Sequence, residues 1–581
     1  MIPEAASAPQ PILFVELRFV WIFALIFLVH WSLRSNAARK LWLLVCSHVF
    51  YGCFFVGDPI EFGTNLFAGR LDRLPTGWWF PSLLWLSTVM DYSVGLGIER
   101  ARTASARKRW ISTSLIVNLG VLGFFKYFGF FEQNVRAVVA WLGLTPSWEP
   151  LYVFLPYGIS FYTFQSLSYS IDVYRGRLRA ERSFLDLALF IAFFPQVVAG
   201  PIVRASTFLP QTATRVAWAK VDLRGCLVLF LVGFFKKACV ADTLARVSDL
   251  YFAAPEHYDA FSAWAATLCY AGQIYCDFSG YTDMAIAVAG LLGYELCLNF
   301  DFPYLSRSVA EFWHRWHISL SSWLRDYLYI PLGGNRGSRL FTARNLMLTM
   351  LLGGLWHGAA WTFVAWGGMH GLALVVHRAW ARRTADRPAI RRVMARLGLP
   401  LTLLWVLLAW VPFRANDVYI DRMEPSDRGA RRLHRTSAGF EDATDHALVY
   451  PYEDTSAPGL AANPDTPPVA LDPATGLWHG TAEDGSDVTI RLHQSGFAVT
   501  GTVWQAMSWL GREGSERVCR DAIALVLALL AFVHALNARG VFRTVWQRLP
   551  DPAFYALLGV GWGIAVTLVA VGYTPFIYFQ F

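Results

Sequence analysis

The feature that most constrains this chain is a succession of apolar runs near 12–31, 41–56, 78–98, 111–131, 150–170, 184–203, 224–241, 260–274, 281–298, 343–365, 366–380, 398–413, 520–537 and 553–573. A stretch of about 20 apolar residues crosses the hydrocarbon core of a bilayer. The chain is 55% hydrophobic and only 16% charged, whereas a soluble domain carries roughly a quarter charged residues. Spanning backbone must satisfy its own polar groups, which leaves helices or a closed barrel. Runs of this length predict an all-α polytopic integral membrane protein, with about 11–13 membrane helices plus interfacial helices. Pro156-Tyr157-Gly158 and Pro201 mark broken or re-entrant pieces, tolerated where protein buries them.

The net charge of +8 is not a nucleic-acid signal here. Basic residues gather in short segments between apolar runs: Arg34 to Lys40, Arg100 to Arg109, Arg175 to Arg182 and Arg378 to Arg396. By the positive-inside rule these are cytoplasmic. The run at 12–31 lacks a preceding basic region and a small-residue cleavage site, so it reads as an uncleaved first span rather than a signal peptide. The 8 cysteines form no CxxC pair; they are expected as buried small apolar residues, with neither a disulfide framework nor a structural zinc.

Composition changes at Asn416. Residues 417–503 carry seven prolines, many acidic groups and no spanning run. The domain reading is a membrane core over 1–416, an insert over 417–503, and carboxy-terminal membrane helices over 504–581 that complete the core. Within the insert, Gly476 to Val503 alternates apolar and polar residues about a central Gly496, a strand–turn–strand pattern. One span on each side of the insert, next to cytoplasmic basic segments, predicts an extracytoplasmic insert containing β structure.

The organising stretch runs from Tyr275 to His377. Its apolar runs carry His357 and His370, and the segment from Glu311 to Arg339 is dense in His, Arg, Asp and Trp. Ionisable groups in or beside hydrocarbon are costly and point to function. The mixture of aromatic and basic residues places 306–339 at the cytoplasmic interface. His357, in Gly353-Gly354-Leu355-Trp356-His357-Gly358, is the expected base: glycines permit close approach, and imidazole titrates near neutral pH. The plain alternative is a core histidine bonded to a carbonyl. His317 is a second ionisable candidate, in the segment before it. His314 would lie only about 60° from it on one helix and belongs equally to an interfacial face. On one continuous helix His370 would lie about 220° from His357, so it reads as a residue behind the site unless Gly367-Gly368 breaks the helix. Asp277, Tyr281, Asp326 and Trp356 are candidates for a supporting layer or substrate tunnel. Gly333, Gly334, Asn335 and Arg336 are a candidate phosphate loop, or simply a turn. No HExxH occurs and no metal is expected.

Several motifs together resemble the membrane-bound O-acyltransferase family, in its alginate O-acetyltransferase branch. They are Phe312-Trp313-His314-Arg315-Trp316-His317, Trp323-Leu324-Arg325-Asp326-Tyr327, Leu355-Trp356-His357-Gly358, Phe125-Lys126-Tyr127-Phe128 and the terminal Phe576-Ile577-Tyr578-Phe579-Gln580-Phe581. The resemblance covers nearly all of 1–416 and 504–581; the insert departs from it. It implies that His357 occupies the family's catalytic position and His317 the cooperating one. It further implies a multi-pass protein of the bacterial inner membrane that takes an acetyl group from cytoplasmic acetyl-CoA, with no resident cofactor. The acceptor would be an exported polysaccharide such as alginate, with a periplasmic partner protein completing transfer. Two rivals remain: D-alanyl transfer from a carrier-protein thioester, and a transporter without covalent chemistry, whose expected two matching halves are not evident in the sequence.

Overall fold

The computed structural model describes residues 14–56, 79–144, 148, 151, 153–198, 200–253, 260–415 and 531–569, with strand segments between 433 and 490. The chain divides into two units, Met1–Asn416 with Gly501–Phe581, and Asp417–Thr500. Among the described residues the first unit is helical.

Its surface is the inverse of a soluble protein's. On the Leu17–Ser32 helix, Leu17, Trp21, Leu25 and Leu28 point outward, while Phe19, Ile26 and His30 are buried. These outward residues recur each helical turn, which is the stripe a lipid solvent selects. Among the described residues, Ala104–Trp141 and Pro388–Arg414 are long and apolar enough to cross a membrane outright, and Leu17–Ser32 is a shorter apolar helix.

Inner helices are more polar because protein, not lipid, surrounds them. Ile159–Tyr174 starts at Gly158, whose φ of 73° turns the chain into the helix, and is buried over most of its length. It carries Ser160, Thr163, Gln165, Ser166, Ser168, Ser170 and Asp172 inward. Ser170 and Ser114 each donate to Asp91 at 2.6 Å, and Asn118 donates at 3.0 Å. A buried carboxylate is tolerated when donors converge on it.

Several sequence expectations change. The two runs read at 260–274 and 281–298 are one helix, Ala260–Leu291. Its polar middle does not break it because neighbours match its charges: Lys237 pairs with Asp277 and Lys236 with Asp283, both at 2.6 Å. The run at 184–203 is not one span but Phe184–Ala192 followed by the short Phe194–Val197. In the insert, Leu477–Thr481 pairs antiparallel with both Ala470–Asp472 and Asp487–Ile490. A second three-stranded antiparallel sheet joins Leu433–Arg435, Gly439–Asp442 and Leu448–Pro451. The turn expected near Gly496 lies outside the described residues.

The feature that positions the site is the pairing of Arg339–His357 with Trp361–Arg383. The helices separate at 358–360, not at Gly367-Gly368. A Cβ on Gly354 would strike the Phe363 carbonyl oxygen, and one on Gly367 the Met350 carbonyl oxygen. Bare backbone therefore lets the pair touch. Gly354→Val should force them apart, at an overpacking cost of about 1–3 kcal/mol. We expect a lower thermal midpoint in detergent. Gly563→Val, which meets open space, is the control; equal behaviour of the two variants would contradict this packing.

Candidate active site

The segment 309–324 does not form one helix. Val309–Arg315 ends, Trp316 is extended, and His317 adopts φ 43° and ψ 55° before Ile318–Leu324 begins. The 60° separation expected for His314 and His317 therefore does not apply. Among the described residues, His317 and Phe302 are the non-glycine residues with positive φ. Such a backbone is sparsely populated and persists only where its surroundings impose it.

Asn299 does the imposing. Its carbonyl oxygen Oδ1 accepts from the Ser319 backbone N–H at 3.2 Å and from Ser319 Oγ at 2.8 Å. Its backbone oxygen accepts from Ile318 N–H at 2.9 Å. The Ser319 N–H fixes Oδ1 as the acceptor, so His317 Nδ1, 3.1 Å away, is the protonated nitrogen. Nε2 is then the ring's acceptor atom.

His357 is the last residue of its helix. The His317 and His357 ring centroids lie 6.4 Å apart, with exposures of 0% and 4%. Aromatic rings wall them in: Trp366 at 5.0 Å, Phe413 at 5.4 Å and Trp356 at 5.1 Å from His357, and Phe278 at 4.7 Å from His317. Two breaks in helical structure thus bring two buried imidazoles to within 6.4 Å of each other.

Of the other expected residues, Trp356 belongs to this wall. His370 is fully buried on the second helix, against Trp366 at 4.9 Å and Trp313 at 5.1 Å. Trp366 touches both histidines, so His370 stands one ring behind His357. His314 is exposed, and its Nδ1 lies 2.6 Å from the Ala310 carbonyl. It lines a separate cavity of about 470 Å³ with Trp313, Arg325, Met350, His377 and Arg378. Asp277 and Tyr281 are buried, Asp277 paired with Lys237 and Tyr281 stacked on Phe14 at 4.7 Å.

Asp326 is held by Arg204 at 2.6 Å and Arg325 at 2.7 Å. Burial alone would raise its carboxyl pKa, but hydrogen bonds and charge from these arginines outweigh it and hold the group below the usual carboxylate value. It ties Arg204 to the turn that begins at Arg325. The expected phosphate loop is a turn whose donors are largely spent on itself. Gly333 N–H bonds Ile330 O, Gly334 N–H bonds Tyr329 O, and Arg336 N–H bonds Gly333 O. Tyr329 Oη donates to Asn335. Among the described residues no group of three His, Cys, Asp or Glu side chains is placed to hold a metal.

Sequence reading did not single out Asn299, Trp366 or Phe413. It quoted Lys126 without a role, although a charge inside an apolar run is itself a signal. Lys126 Nζ donates to the Trp356 carbonyl at 2.5 Å and the His357 carbonyl at 3.0 Å.

Residues 78–408 match the family described as MBOAT, membrane-bound O-acyltransferase family. The "Probable alginate O-acetylase AlgI" of Pseudomonas aeruginosa is 42% identical over 404 residues, covering 69% of this chain and 72% of that one. The peptidoglycan O-acetyltransferase of Helicobacter pylori is 36% identical over 435 residues, covering 69% and 76%. The teichoic acid D-alanyltransferase of Streptococcus thermophilus is 30% identical over 299 residues, covering 46% and 70%. By these likenesses the chain belongs to the membrane-bound O-acyltransferase family and is an O-acyltransferase of the membrane.

Proposed function

We propose that this protein O-acetylates an exported cell-surface polysaccharide, with alginate the first candidate, using acetyl-CoA from the cytoplasm. The observation that carries the reading is the pair of enclosed imidazoles 6.4 Å apart, in a chain more similar to O-acetylases than to the D-alanyltransferase. His357 takes the proton of an acceptor hydroxyl, and that oxygen attacks the thioester carbonyl. The tetrahedral intermediate collapses, the carbon–sulfur bond breaks, and the proton passes to the departing thiolate. His317, with Nε2 as acceptor, does not suit an oxyanion; it holds a neighbouring hydroxyl of the sugar and so orients the nucleophile. The aromatic wall excludes water that would otherwise hydrolyse the thioester.

The cavity beside His314 is the proposed approach of the donor. Ile318 lines it, next in the chain to His317, and Arg378 supplies a cation for phosphate. Purified protein should release CoA from radiolabelled acetyl-CoA, and Arg378→Ala should raise the donor KM. His357→Ala should abolish transfer at matched expression. His317→Ala should lower turnover at least about tenfold, or 1.4 kcal/mol of barrier, and His314→Ala less. Wild-type transfer by the His357 variant would sink the assignment of the base; a greater loss from His314 than from His317 would move the site.

The proposed setting is a bacterial inner membrane, with a periplasmic partner protein and the polysaccharide on the far side; the family and the charge pattern support it. The insert 417–503 is extracytoplasmic in this reading. Its own arginines do not oppose this, since segments longer than about 60 residues translocate largely regardless of charge. A Ser495→Cys variant should react with a membrane-impermeant thiol reagent in cells whose cytoplasmic membrane is intact. Reaction only after that membrane is breached would reverse the orientation.

A further inference from the structure

We infer that Lys126 is a positioning residue for His357, and that the helical rod carrying it braces the break beside the site. The inference rests on the reading of His357 as the base.

The carbonyls at the end of a helix have no partner within it. His357 is the last residue of its helix, and Gly358 N–H reaches back only to Gly354 O, at 3.4 Å. In a soluble protein water would serve the remaining carbonyls; inside a membrane it does not. Lys126 serves two of them, those of Trp356 and His357, at 2.5 and 3.0 Å. Its ammonium also lies 5.6 Å from the centroid of the Trp356 ring. A cation at a helix carboxyl end is favoured by the aligned peptide dipoles. Among the described residues the hydrogen-bond partners of Lys126 are these carbonyls rather than a carboxylate.

The brace has a second point. The rod continues from a π-helical turn, Gly123–Tyr127, into Phe128–Trp141. Two turns beyond Lys126, Asn134 Oδ1 accepts from Trp361 Nε1 at 2.9 Å, and Phe130 lies 5.5 Å from the Trp361 ring. Trp361 is the first residue of the next helix. One rod therefore grips the chain on both sides of the 358–360 break: Lys126 before it, Asn134 after it. The π-turn sets the rotation of Lys126 relative to Asn134; such turns interrupt otherwise regular helices most often at functional sites. A merely structural cap would hold the fold. Here the capped residue is the one that carries the base, so any fraying of the last turn moves the imidazole itself.

The test measures kcat, donor KM and thermal midpoint for Lys126→Met, Lys126→Arg and Asn134→Ala. Lys126→Met should lower kcat by at least about 30-fold with donor KM changed less than about threefold, because an interaction felt in the transition state is lost while ground-state binding is not. Lys126→Arg, which keeps the charge and donors, should recover most of that loss, and Asn134→Ala should cost only about threefold in kcat. An unchanged kcat in Lys126→Met overturns the inference. So does a raised KM with kcat preserved, which would make Lys126 a donor-binding group, and so does an Arg variant no better than Met. If Lys126→Met does not accumulate, Lys126→Gln and Lys126→Arg decide: reduced kcat at fixed KM in the glutamine variant supports the brace, and wild-type kcat in both overturns it. A dead His357→Ala beside an active Lys126→Met would remove this inference alone. An active His357→Ala would remove the base and leave Lys126 as a cap.

Discussion

A membrane interior offers no water to the backbone, so wherever a helix stops there the protein itself must supply partners. The geometry of the site follows from that constraint. The chain stops helices at His317 and after His357, where chemistry needs a side chain that regular helix would aim elsewhere. Asn299 serves the first stop, receiving the Ile318 and Ser319 N–H groups on its two oxygens. Lys126 serves the second through two carbonyls. Each partner comes from a different part of the chain, so the site exists only when the whole helical unit is assembled.

The same rule governs the buried charges. Lys237 lies between Asp242 at 2.7 Å and Asp277 at 2.6 Å, and Asp91 sits among hydroxyl and amide donors. Such groups are weak contributors to stability, because desolvation offsets most of their attraction. Their effect is on specificity: removing one partner strands the other. They fix the helix registers that place Phe278, on the Ala260–Leu291 helix, against His317.

Much of this was legible from the residues. Apolar runs on a weakly charged chain implied helices in a membrane, and His357 stood out as an ionisable group in a glycine-rich apolar run. Helix boundaries were less legible. Periodicity does not register that Asp277 and Asp283 will meet lysines, so one long helix read as two. It left open a break at Gly367-Gly368, where the glycines serve close packing, and it missed the left-handed turn at His317, which depends on Asn299 eighteen positions away. Lys126 carried a signal that only the carbonyls it reaches could explain. The loop at Gly333 shows the converse: its glycines suggested an anion cradle, but its own turn uses the donors.

The central claim is that His317 and His357 act together on one acceptor. A double-mutant cycle tests it most directly, by comparing transfer rates of wild type, His317→Ala, His357→Ala and the double variant under single-turnover conditions. Residues that act as a unit are strongly non-additive. The account predicts that the double variant is no slower than His357→Ala alone. Losses that multiply, each histidine costing as much with the other absent as with it present, would contradict a shared site.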